Sequence, residues 1–490
     1  MENRQKIITT INSKRIEIDG ERAFMPLATF LREERCLTGT KVVCAEGDCG
    51  ACTVLLARDI GADGKLTFKA VNSCIMPLYL IDGAHVVSVE GLKKDDNQGE
   101  SLHPVQQAMI ENHGAQCGYC TPGFVCAMTA MVEKIKSENK TITEKKAKNY
   151  LTGNLCRCTG YQPIIKAAMS LDLDKLELLK DRHHNPNWLL EMKKIKSTPV
   201  VMNFNQKTIF LPVTMKQALE AKSLNNDIRL VGGSTDIGVV VNKGRLETPK
   251  AMALYHIDEL KIMSHDNSEI RIGACVTLSE FEDYIEKFIL ELKSILHIFA
   301  SPQIKNQATL IGNVVNASPI ADTIPYFLVS DTKVVLKSIH NEREVLLKDF
   351  YLGYKTLDIK PDEIVTCLKI PRLSALEKLR LYKVSMRKDL DISAVTFAGT
   401  IEVENLKIKM VRLALGGVAA TVIRLSQLES QLIGSDFKRE TFQNIAKQLP
   451  QHISPLSDLR ASKEYRMKLC QNFFLKFFDE VSVDLSNGGY

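Results

Sequence analysis

The sequence predicts a multidomain α+β protein with metal-binding domains at its N-terminal end. Its 490 residues are enough for about three domains of average size. Ten of the thirteen cysteines lie within the first 160 residues. The hydrophobic pattern changes from short strands to helices near residue 100, and to mixed strands and helices after residue 200. We therefore expect several folded units and place the metal in the first of them.

The composition excludes several classes of protein. Hydrophobic residues make up 45% and charged residues 25% of the chain, which is ordinary for a globular protein. The formal net charge of +6 is too small to indicate a nucleic-acid partner. The N-terminal segment lacks the apolar core of a signal peptide, and no apolar run reaches the roughly 18 residues of a membrane helix. We expect a soluble, cytoplasmic protein whose thiols stay reduced and available as ligands.

Local patterns predict the elements of the N-terminal third. Residues 5–18 alternate as two short strands, a helix is expected from Pro26 to about Glu34, and further strands follow near 52–57, 66–71 and 86–89. Beyond residue 100 the pattern is helical, and Thr121–Pro122 and Gln162–Pro163 mark two helix starts, with Thr121 as an N-cap. Cysteine pairs precede both starts, where free N–H groups favour anionic sulfur.

The first cysteine set has the spacing C-x4-C-x2-C with a distant fourth member, and comprises Cys44, Cys49, Cys52 and Cys74. This is the plant-type [2Fe–2S] spacing. A tight loop can supply three thiolates if its backbone bends sharply, and we expect Gly39, Gly47 and Gly50 to allow this. The alternative is a zinc ribbon, which prefers two C-x2-C pairs. The four-residue gap favours iron–sulfur.

The second set combines C-x2-C with C-x-C, and comprises Cys117, Cys120, Cys156 and Cys158. On spacing alone it could hold zinc or a second cluster, and the neighbouring ferredoxin-like loop favours a second [2Fe–2S] cluster. The remaining five cysteines have no partner spacing and are expected to be packing residues: Cys36, Cys126, Cys275, Cys367 and Cys470.

Three segments of the N-terminal third, 44–52, 116–123 and 153–161, resemble the iron–sulfur domains of the molybdenum hydroxylases, which include xanthine dehydrogenases, aldehyde oxidases and carbon monoxide dehydrogenases. The resemblance implies that Gln116 and Cys158 approach the pterin of a molybdenum cofactor. It also implies a β-grasp [2Fe–2S] ferredoxin-like domain at 1–90, a helical-bundle [2Fe–2S] domain at 91–171, an FAD-binding domain at 198–375, and a C-terminal α+β domain like that of the CO dehydrogenase flavoprotein at 376–490. The dense charge of residues 172–197 predicts a surface linker there.

Segments after residue 230 resemble the flavin-binding segments of the same family. By itself, the run Gly-Gly-Ser-Thr could approach a pyrophosphate or form an ordinary turn, and the chain has no G-x-G-x-x-G, so a Rossmann site is not supported. The resemblance implies FAD contacts by Val231, Gly232, Gly233, Ser234, Thr235, Asp236, Phe299, Thr309, Gly312, Asn313, Asn316, Asp322, Ile364 and Lys383. Phe299 would lie near the isoalloxazine ring and Ile364 near the adenine.

The order of iron–sulfur and flavin segments in one chain favours the xanthine dehydrogenase branch. The chain stops before the large molybdenum-binding domain, so the resemblance implies an oxidoreductase subunit for electron transfer, with no catalytic acid–base residue of its own. Electrons would pass from a partner molybdenum subunit through two [2Fe–2S] clusters to FAD and NAD⁺, while hypoxanthine or xanthine is oxidised to urate. We expect a heterodimer, or a dimer of such heterodimers, with no nucleic-acid or membrane partner.

Three other hypotheses about function stay open. The partner could oxidise aldehydes instead of purines, since the substrate site lies outside this chain. The chain could be an autonomous iron–sulfur flavoprotein reductase, or a zinc-binding interaction module. The segment 387–392 departs from the Arg-Arg-Glu-Asp form commoner in the family, so the acceptor, NAD⁺ or oxygen, is also open.

Overall fold

The computed structural model describes residues 3–96 and 99–487. The chain divides into two compact units, and each is built from three stretches of sequence. The first unit comprises Met1–Ala218, Asp227–Asp258 and Ser301–Ala308, and the second comprises Leu219–Asn226, Glu259–Ala300 and Thr309–Tyr490. The expected boundary at residue 375 lies inside the second unit. None of the described helices is long and apolar enough to cross a membrane.

A mixed sheet and one helix form the N-terminal part of the first unit. The elements are β1 Ile7–Ile11, β2 Lys14–Ile18, helix Leu27–Glu33, β3 Thr53–Ala57, β4 Lys69–Asn72 and β5 His85–Val87. The strand order is β2-β1-β5-β3-β4, with β1 parallel to β5 and the other pairs antiparallel. Every residue of β1 and β3 is buried, as their apolar and β-branched sequences predict. The β-grasp prediction is confirmed.

The helical part of the first unit carries the second cysteine set. Its elements are β6 Lys94–Asp96, β7 Gly99–Ser101 and the helices Pro104–Glu111, Thr121–Ser137, Glu144–Leu151 and Gln162–Met169. Helix Thr121–Ser137 is the central one, with eleven buried residues. The prediction of Thr121 as N-cap is wrong by one residue, because Cys120 takes the cap position and Thr121 is already helical.

The segment 172–197, expected to be a surface linker, contains two helices, Leu179–Arg182 and Pro186–Lys196. Leu179 and Trp188 are buried in the same hydrophobic core as helix Thr121–Ser137. The charged residues of this segment alternate with apolar ones at helical spacing, so one side packs while the other stays in water. The segment is therefore packed against the helical part.

A four-stranded sheet completes the first unit. Its strands are β8 Val200–Phe204, β9 Lys207–Leu211, β10 Arg229–Val231 and β11 Lys250–Ala253, and the helices of this region are Met215–Leu224, Ile237–Asn242 and Pro302–Lys305. The strand order is β10-β11-β9-β8. Val200 and Val231 share a core with residues of the N-terminal sheet, so the two sheets are joined by apolar packing.

The two main sheets of the second unit are antiparallel. Its strands are β12 Met263–His265, β13 Glu269–Gly273, β14 Lys333–Lys337, β15 Glu342–Leu346, β16 Tyr351–Gly353, β17 Thr356–Leu357, β18 Ile364–Pro371, β19 Lys378–Ser385, β20 Ser393–Glu404, β21 Lys407–Gly416 and β22 Ile423–Arg424. Its helices are Leu278–Ile285, Leu290–Ile298, Leu310–Val315, Ile324–Val329, Leu347–Phe350, Ser426–Leu432, Arg439–Gln448 and Lys463–Asn487. The sheet orders are β12-β13-β18-β14-β15 and β19-β20-β21-β22.

An aromatic cluster joins the C-terminal helix to the second of these sheets. Phe473, Phe474 and Phe477 of helix Lys463–Asn487 surround Phe397 of β20 with ring centroids 5.6–5.9 Å apart. The spacing of these residues places them on one face of the helix. Their burial anchors the helix to the sheet.

Candidate iron–sulfur and flavin sites

The loop before β3 holds three cysteines of the first set. Ala45, Gly47 and Gly50 have left-handed φ values of 54°, 72° and 69°. These turns direct the backbone N–H groups of Glu46 and Cys49 at the sulfur of Cys44, both at 3.4 Å. The predicted bending at Gly47 and Gly50 is confirmed, whereas Gly39 has no such φ. Backbone amides aimed at a ligand sulfur are a feature of metal–thiolate sites.

The four thiols of the first set form one connected group. Hydrogen bonds with Cys49 and Cys74 lower the pKa of Cys44. The pKa of Cys74 is raised by its hydrogen bonds with Cys44 and Cys52 and by burial. Cys52 and Cys74 are buried, and Cys44 and Cys49 are half-buried. The loop and the end of β4 therefore bring all four predicted ligands together.

The second set is also brought together, although two of its cysteines precede helix Thr121–Ser137 in sequence and two follow it. The sulfur atoms of Cys117 and Cys158 are 3.3 Å apart. Burial and a hydrogen bond with Cys156 raise the pKa of Cys120 to about 12. Cys117 and Cys158 are exposed, whereas Cys156 is buried. This set thus has a buried end and an end open to solvent.

Local structure fixes the position of Cys156. Tyr161 has a left-handed φ of 68° at the start of helix Gln162–Met169. This conformation brings its hydroxyl oxygen to 3.1 Å from the backbone N–H of Cys156, which donates to it. The hydroxyl of Thr159 lies 3.1 Å from the Cys156 sulfur. Both the backbone and the sulfur of Cys156 are therefore held by residues that follow Cys158.

The donor chemistry of both sets fits a [2Fe–2S] cluster. The thiols of the first set are linked sulfur to sulfur, and those of the second set form two linked pairs, Cys117 with Cys158 and Cys120 with Cys156. Four thiols are the ligand complement of such clusters. In the ranges 3–96 and 99–487, no three His, Cys, Asp or Glu side chains are arranged as ligands of a single metal ion. Of the other cysteines, Cys126 and Cys470 are buried as predicted. The packing prediction is wrong for Cys36, which is exposed with a left-handed φ of 55°.

In the first unit, the flavin candidates Val231–Asp236 connect β10 to helix Ile237–Asn242. Ser234 is buried with a left-handed φ of 61°, and in the described part of the chain its hydroxyl has no hydrogen-bond partner. A Cβ atom on Gly233 would lie 1.8 Å from the carbonyl oxygen of Gln307, so only glycine fits there. An orphaned buried hydroxyl is costly unless a ligand satisfies it, which fits a bound polar group.

In the second unit, the candidates Thr309–Asn316 form the short helix Leu310–Val315 and its ends. The Thr309 hydroxyl caps the helix by accepting from the N–H of Gly312 at 3.0 Å. The Asn313 side-chain oxygen accepts from the hydroxyl of Thr323 at 2.6 Å. Asn316 follows the last helical residue. Thr309 and Asn313 thus have structural partners inside the protein.

Two further flavin candidates form a buried ion pair. The ammonium of Lys383 lies 2.5 Å from the carboxylate of Asp322, and both side chains are at most 4% exposed. Lys383 also donates to the carbonyl of Asp391 at 2.8 Å and to the hydroxyl of Ser393 at 2.7 Å. Burial raises the pKa of Asp322, against the attraction of Lys383. All three donors of the ammonium are used, so a direct flavin contact would have to replace one of these bonds.

The remaining flavin candidates differ in exposure. Phe299 is half-buried and follows the last residue of helix Leu290–Ile298. The N–H of Leu390 donates to the carbonyl of Ile298 at 3.1 Å, so the charged segment 387–392 lies next to Phe299. Ile364 is fully buried in β18, so its side chain belongs to the core.

Sequence reasoning missed three polar residues beside the cysteine loops: Thr53, Asn154 and Gln303, each at most 2% exposed. The side-chain amide of Asn154 donates to the carbonyl of Gly50 at 2.9 Å, and Gln303 donates to the Asn154 oxygen at 2.7 Å. Asn154 lies within the segment 153–161 that carries the family resemblance, and this location could have marked it as a candidate site residue. No thiol or charge marks any of the three.

Comparison with known sequences identifies the domains. The profile described as "FAD binding domain in molybdopterin dehydrogenase" matches residues 202–373, and that of the "CO dehydrogenase flavoprotein C-terminal domain" matches residues 380–481. The profile of a "[2Fe-2S] binding domain" matches residues 88–169. The chain carries the iron–sulfur and flavin domains of the molybdenum hydroxylase family. The predicted family resemblance and fold class are confirmed.

Among curated relatives of this molybdenum hydroxylase chain, xanthine dehydrogenase of Emericella nidulans is 30% identical over 543 aligned positions, covering 97% of the chain and 39% of the relative. Xanthine dehydrogenase of Oryza sativa subsp. japonica is 29% identical, with coverage of 99% and 40%. The chain spans about two fifths of the length of these relatives.

Solved structures agree with this assignment at the level of the fold. Carbon monoxide dehydrogenase from Hydrogenophaga pseudoflava aligns with a TM-score of 0.52 and 20% identity, covering 55% of this molybdenum hydroxylase chain and 94% of that chain. CO dehydrogenase from Oligotropha carboxidovorans aligns with a TM-score of 0.51 and 22% identity, with coverage of 54% and 94%.

Proposed function

We propose that this chain is the electron-transfer subunit of a xanthine dehydrogenase. A partner molybdenum subunit oxidises hypoxanthine or xanthine, and this chain carries the electrons from that subunit to NAD⁺. When bound, [2Fe–2S] clusters exchange single electrons and FAD exchanges single electrons for pairs. The observation that carries the proposal is the presence of two separate groups of four thiols in a chain that also has an FAD-binding domain. The assignment to xanthine dehydrogenase is supported by the relatives that align with nearly the whole chain.

We assign the first set, Cys44, Cys49, Cys52 and Cys74, and the second set, Cys117, Cys120, Cys156 and Cys158, to one cluster each. In the first set, the N–H groups of Glu46 and Cys49 stabilise negative charge on the Cys44 sulfur. In the second set, the hydroxyl of Thr159 can donate to Cys156. These donors raise the tendency of each site to accept an electron.

The solvent-exposed end of the second set is the part assigned to the partner subunit. Gln116, Cys117 and Cys158 are exposed, and Tyr119 beside them is 48% exposed. An aromatic residue with an exposed ring is common in interfaces between subunits. A partner bound here would cover these ligands and exclude water from them.

We assign different roles to two of the flavin candidates, Ser234 and Lys383. The hydroxyl of Ser234 lacks a protein partner within the described ranges and is assigned to a polar group of FAD. Lys383 acts through the protein, because its ammonium holds Asp322 and the carbonyl of Asp391. It thereby fixes the charged segment 387–392, which we assign to the approach of NAD⁺.

Metal and flavin analysis of the purified chain tests the cofactor assignment. We expect about four irons and one FAD per chain, and two [2Fe–2S] signals in the electron paramagnetic resonance spectrum of the reduced protein. Cys156→Ser should remove one signal. The matched control Cys126→Ser, a buried cysteine of the neighbouring helix outside both sets, should keep both. Zinc in a colourless protein, or a single iron–sulfur signal, would contradict the proposal.

Co-expression with a molybdenum-binding subunit tests the electron path and the substrate. Xanthine added to the purified complex without oxygen should bleach the flavin absorption, and NAD⁺ should restore it. An aldehyde should leave the flavin oxidised. A chain that reduces dyes with NADH but binds no molybdenum subunit would instead support an autonomous reductase.

A further inference from the structure

Consecutive residues of one cysteine loop are hydrogen-bonded to consecutive residues of the other. The backbone N–H of Leu155 donates to the carbonyl of Cys49 at 3.0 Å. The side-chain amide of the preceding residue, Asn154, donates to the carbonyl of Gly50 at 2.9 Å. Since Leu155 precedes Cys156, one hydrogen bond and one peptide unit separate the backbone of a first-set ligand from that of a second-set ligand.

A buried amide from a distant part of the chain supports this junction. Gln303, in the short helix Pro302–Lys305, donates to the side-chain oxygen of Asn154 at 2.7 Å and to the hydroxyl of Thr53 at 3.3 Å. Thr53 donates in turn to the carbonyl of Gly50 at 2.6 Å. The carbonyl of Gly50 thus accepts from the side chains of Asn154 and Thr53, and also from the backbone N–H of Thr53 at 3.1 Å. Gln303 bonds to both side chains.

The chemistry of the site indicates why an amide is present there. Gln303 is fully buried, and across the described residues its side-chain oxygen has no hydrogen-bond partner. An unsatisfied buried acceptor destabilises the fold, whereas leucine would fill a similar volume without that cost. The donor side of the amide is therefore what the site requires, and it is directed at Asn154 and Thr53.

We infer that Gln303 and Asn154 are positioning residues that set the electronic coupling between the two iron–sulfur sites. This inference rests on the proposed function. Electron transfer through a protein slows steeply as the separation grows, and a hydrogen bond carries it better than a gap. By holding Asn154, Gln303 holds the Leu155 N–H against Cys49, and so sets the distance between the two cysteine loops.

Gln303→Leu in the full chain, loaded with both clusters, tests this role. The first measurement is the magnetic splitting between the two reduced sites by electron paramagnetic resonance. The second is the rate of electron equilibration between them after flash reduction. We expect the splitting to shrink and the equilibration to slow at least threefold.

Gln307→Leu is the matched control, because it makes the same change in the same stretch of chain. Gln307 is 1% exposed, donates to the carbonyl of Gly233 at 2.6 Å and, among the described residues, also has an unpartnered oxygen. It should leave both measurements unchanged. Gln303→Glu keeps the size of the side chain but lacks the amide donors, and replaces Gln303→Leu if that variant loses iron.

Three results would overturn the inference. Unchanged splitting and rate in an iron-replete Gln303 variant would refute this inference and leave the proposed function standing. Equal changes in the Gln303 and Gln307 variants would also refute this inference, because they would indicate a general loosening of the fold. Absence of two iron–sulfur signals from the unmodified protein would overturn the proposed function and this inference together.

Discussion

Replacing Glu133 with glutamine is expected to stabilise the docked segment 172–197 above neutral pH. Glu133 is buried in helix Thr121–Ser137 and accepts the N–H of Leu179 at 2.6 Å, at the start of helix Leu179–Arg182. Its other oxygen lies 3.5 Å from the N–H of Lys180. Glutamine keeps the acceptor for Leu179 and removes the buried charge.

The magnitude follows from the pKa of this carboxyl. Burial raises the pKa of Glu133 from 4.5 to about 7, against the hydrogen bonds from Leu179 and Lys180. Between these values the folded protein binds the proton more tightly than the unfolded chain, so the free energy of unfolding falls as pH rises. At about 1.4 kcal/mol per pH unit, the loss reaches about 3 kcal/mol above pH 7. Glu133→Gln should recover about this amount at pH 8 and nothing below pH 4.5.

Trp188 provides the assay. It is the single tryptophan of the chain and is buried in helix Pro186–Lys196, in the core that also contains Leu179. Urea unfolding followed by its fluorescence at several pH values gives the free energy for this region. Glu138→Gln, at the exposed end of the same helix as Glu133, is the control and should change little. Parallel pH profiles for the Glu133 variant and the unmodified protein would refute the reasoning.

Three further predictions concern other parts of the chain. Burial lowers the pKa of His85 from 6.5 to about 3, so the free energy of unfolding should fall as pH drops below 6.5, by about 3 kcal/mol at pH 4. In urea titrations at several pH values, His85→Leu should reduce this loss at acid pH. Phe477→Ala should cost about 3–5 kcal/mol by removing a fully buried ring, whereas Leu459→Ala, 99% exposed, should leave the melting temperature unchanged. Lys383→Met should leave the buried Asp322 unpaired, costing about 3–5 kcal/mol and lowering FAD content; normal stability and FAD content would contradict its positioning role.

The sharply bent loop of the first cysteine set was predictable because its pattern is local in sequence. A metal–thiolate loop needs fixed spacing and sharp turns, and both are visible in the residues from Cys44 to Cys52. The β-grasp sheet was predictable because alternation and β-branched runs record which face is buried. The helices of segment 172–197 were not predicted, because frequent charges concealed the apolar positions that reach the core.

The junction of the two cysteine loops could not be predicted from spacing. Gln303 and Asn154 are 149 residues apart, and neither has a residue type that indicates a cofactor. Their partnership depends on tertiary packing, which brings a short helix against both loops. For the same reason, the pairing of Lys383 with Asp322 was not anticipated, although both were candidates.

The first unit is assembled from separate stretches of sequence, and this has a consequence for biosynthesis. Ser301–Ala308 belongs to this unit although the residues on either side belong to the second. A ribosome must therefore complete more than three hundred residues before Gln303 can reach Asn154. Until then the nascent iron–sulfur region lacks its last support, so cofactor insertion before that point would meet a looser site than insertion after it. Truncations ending at 300 and at 308 would separate these two stages of maturation.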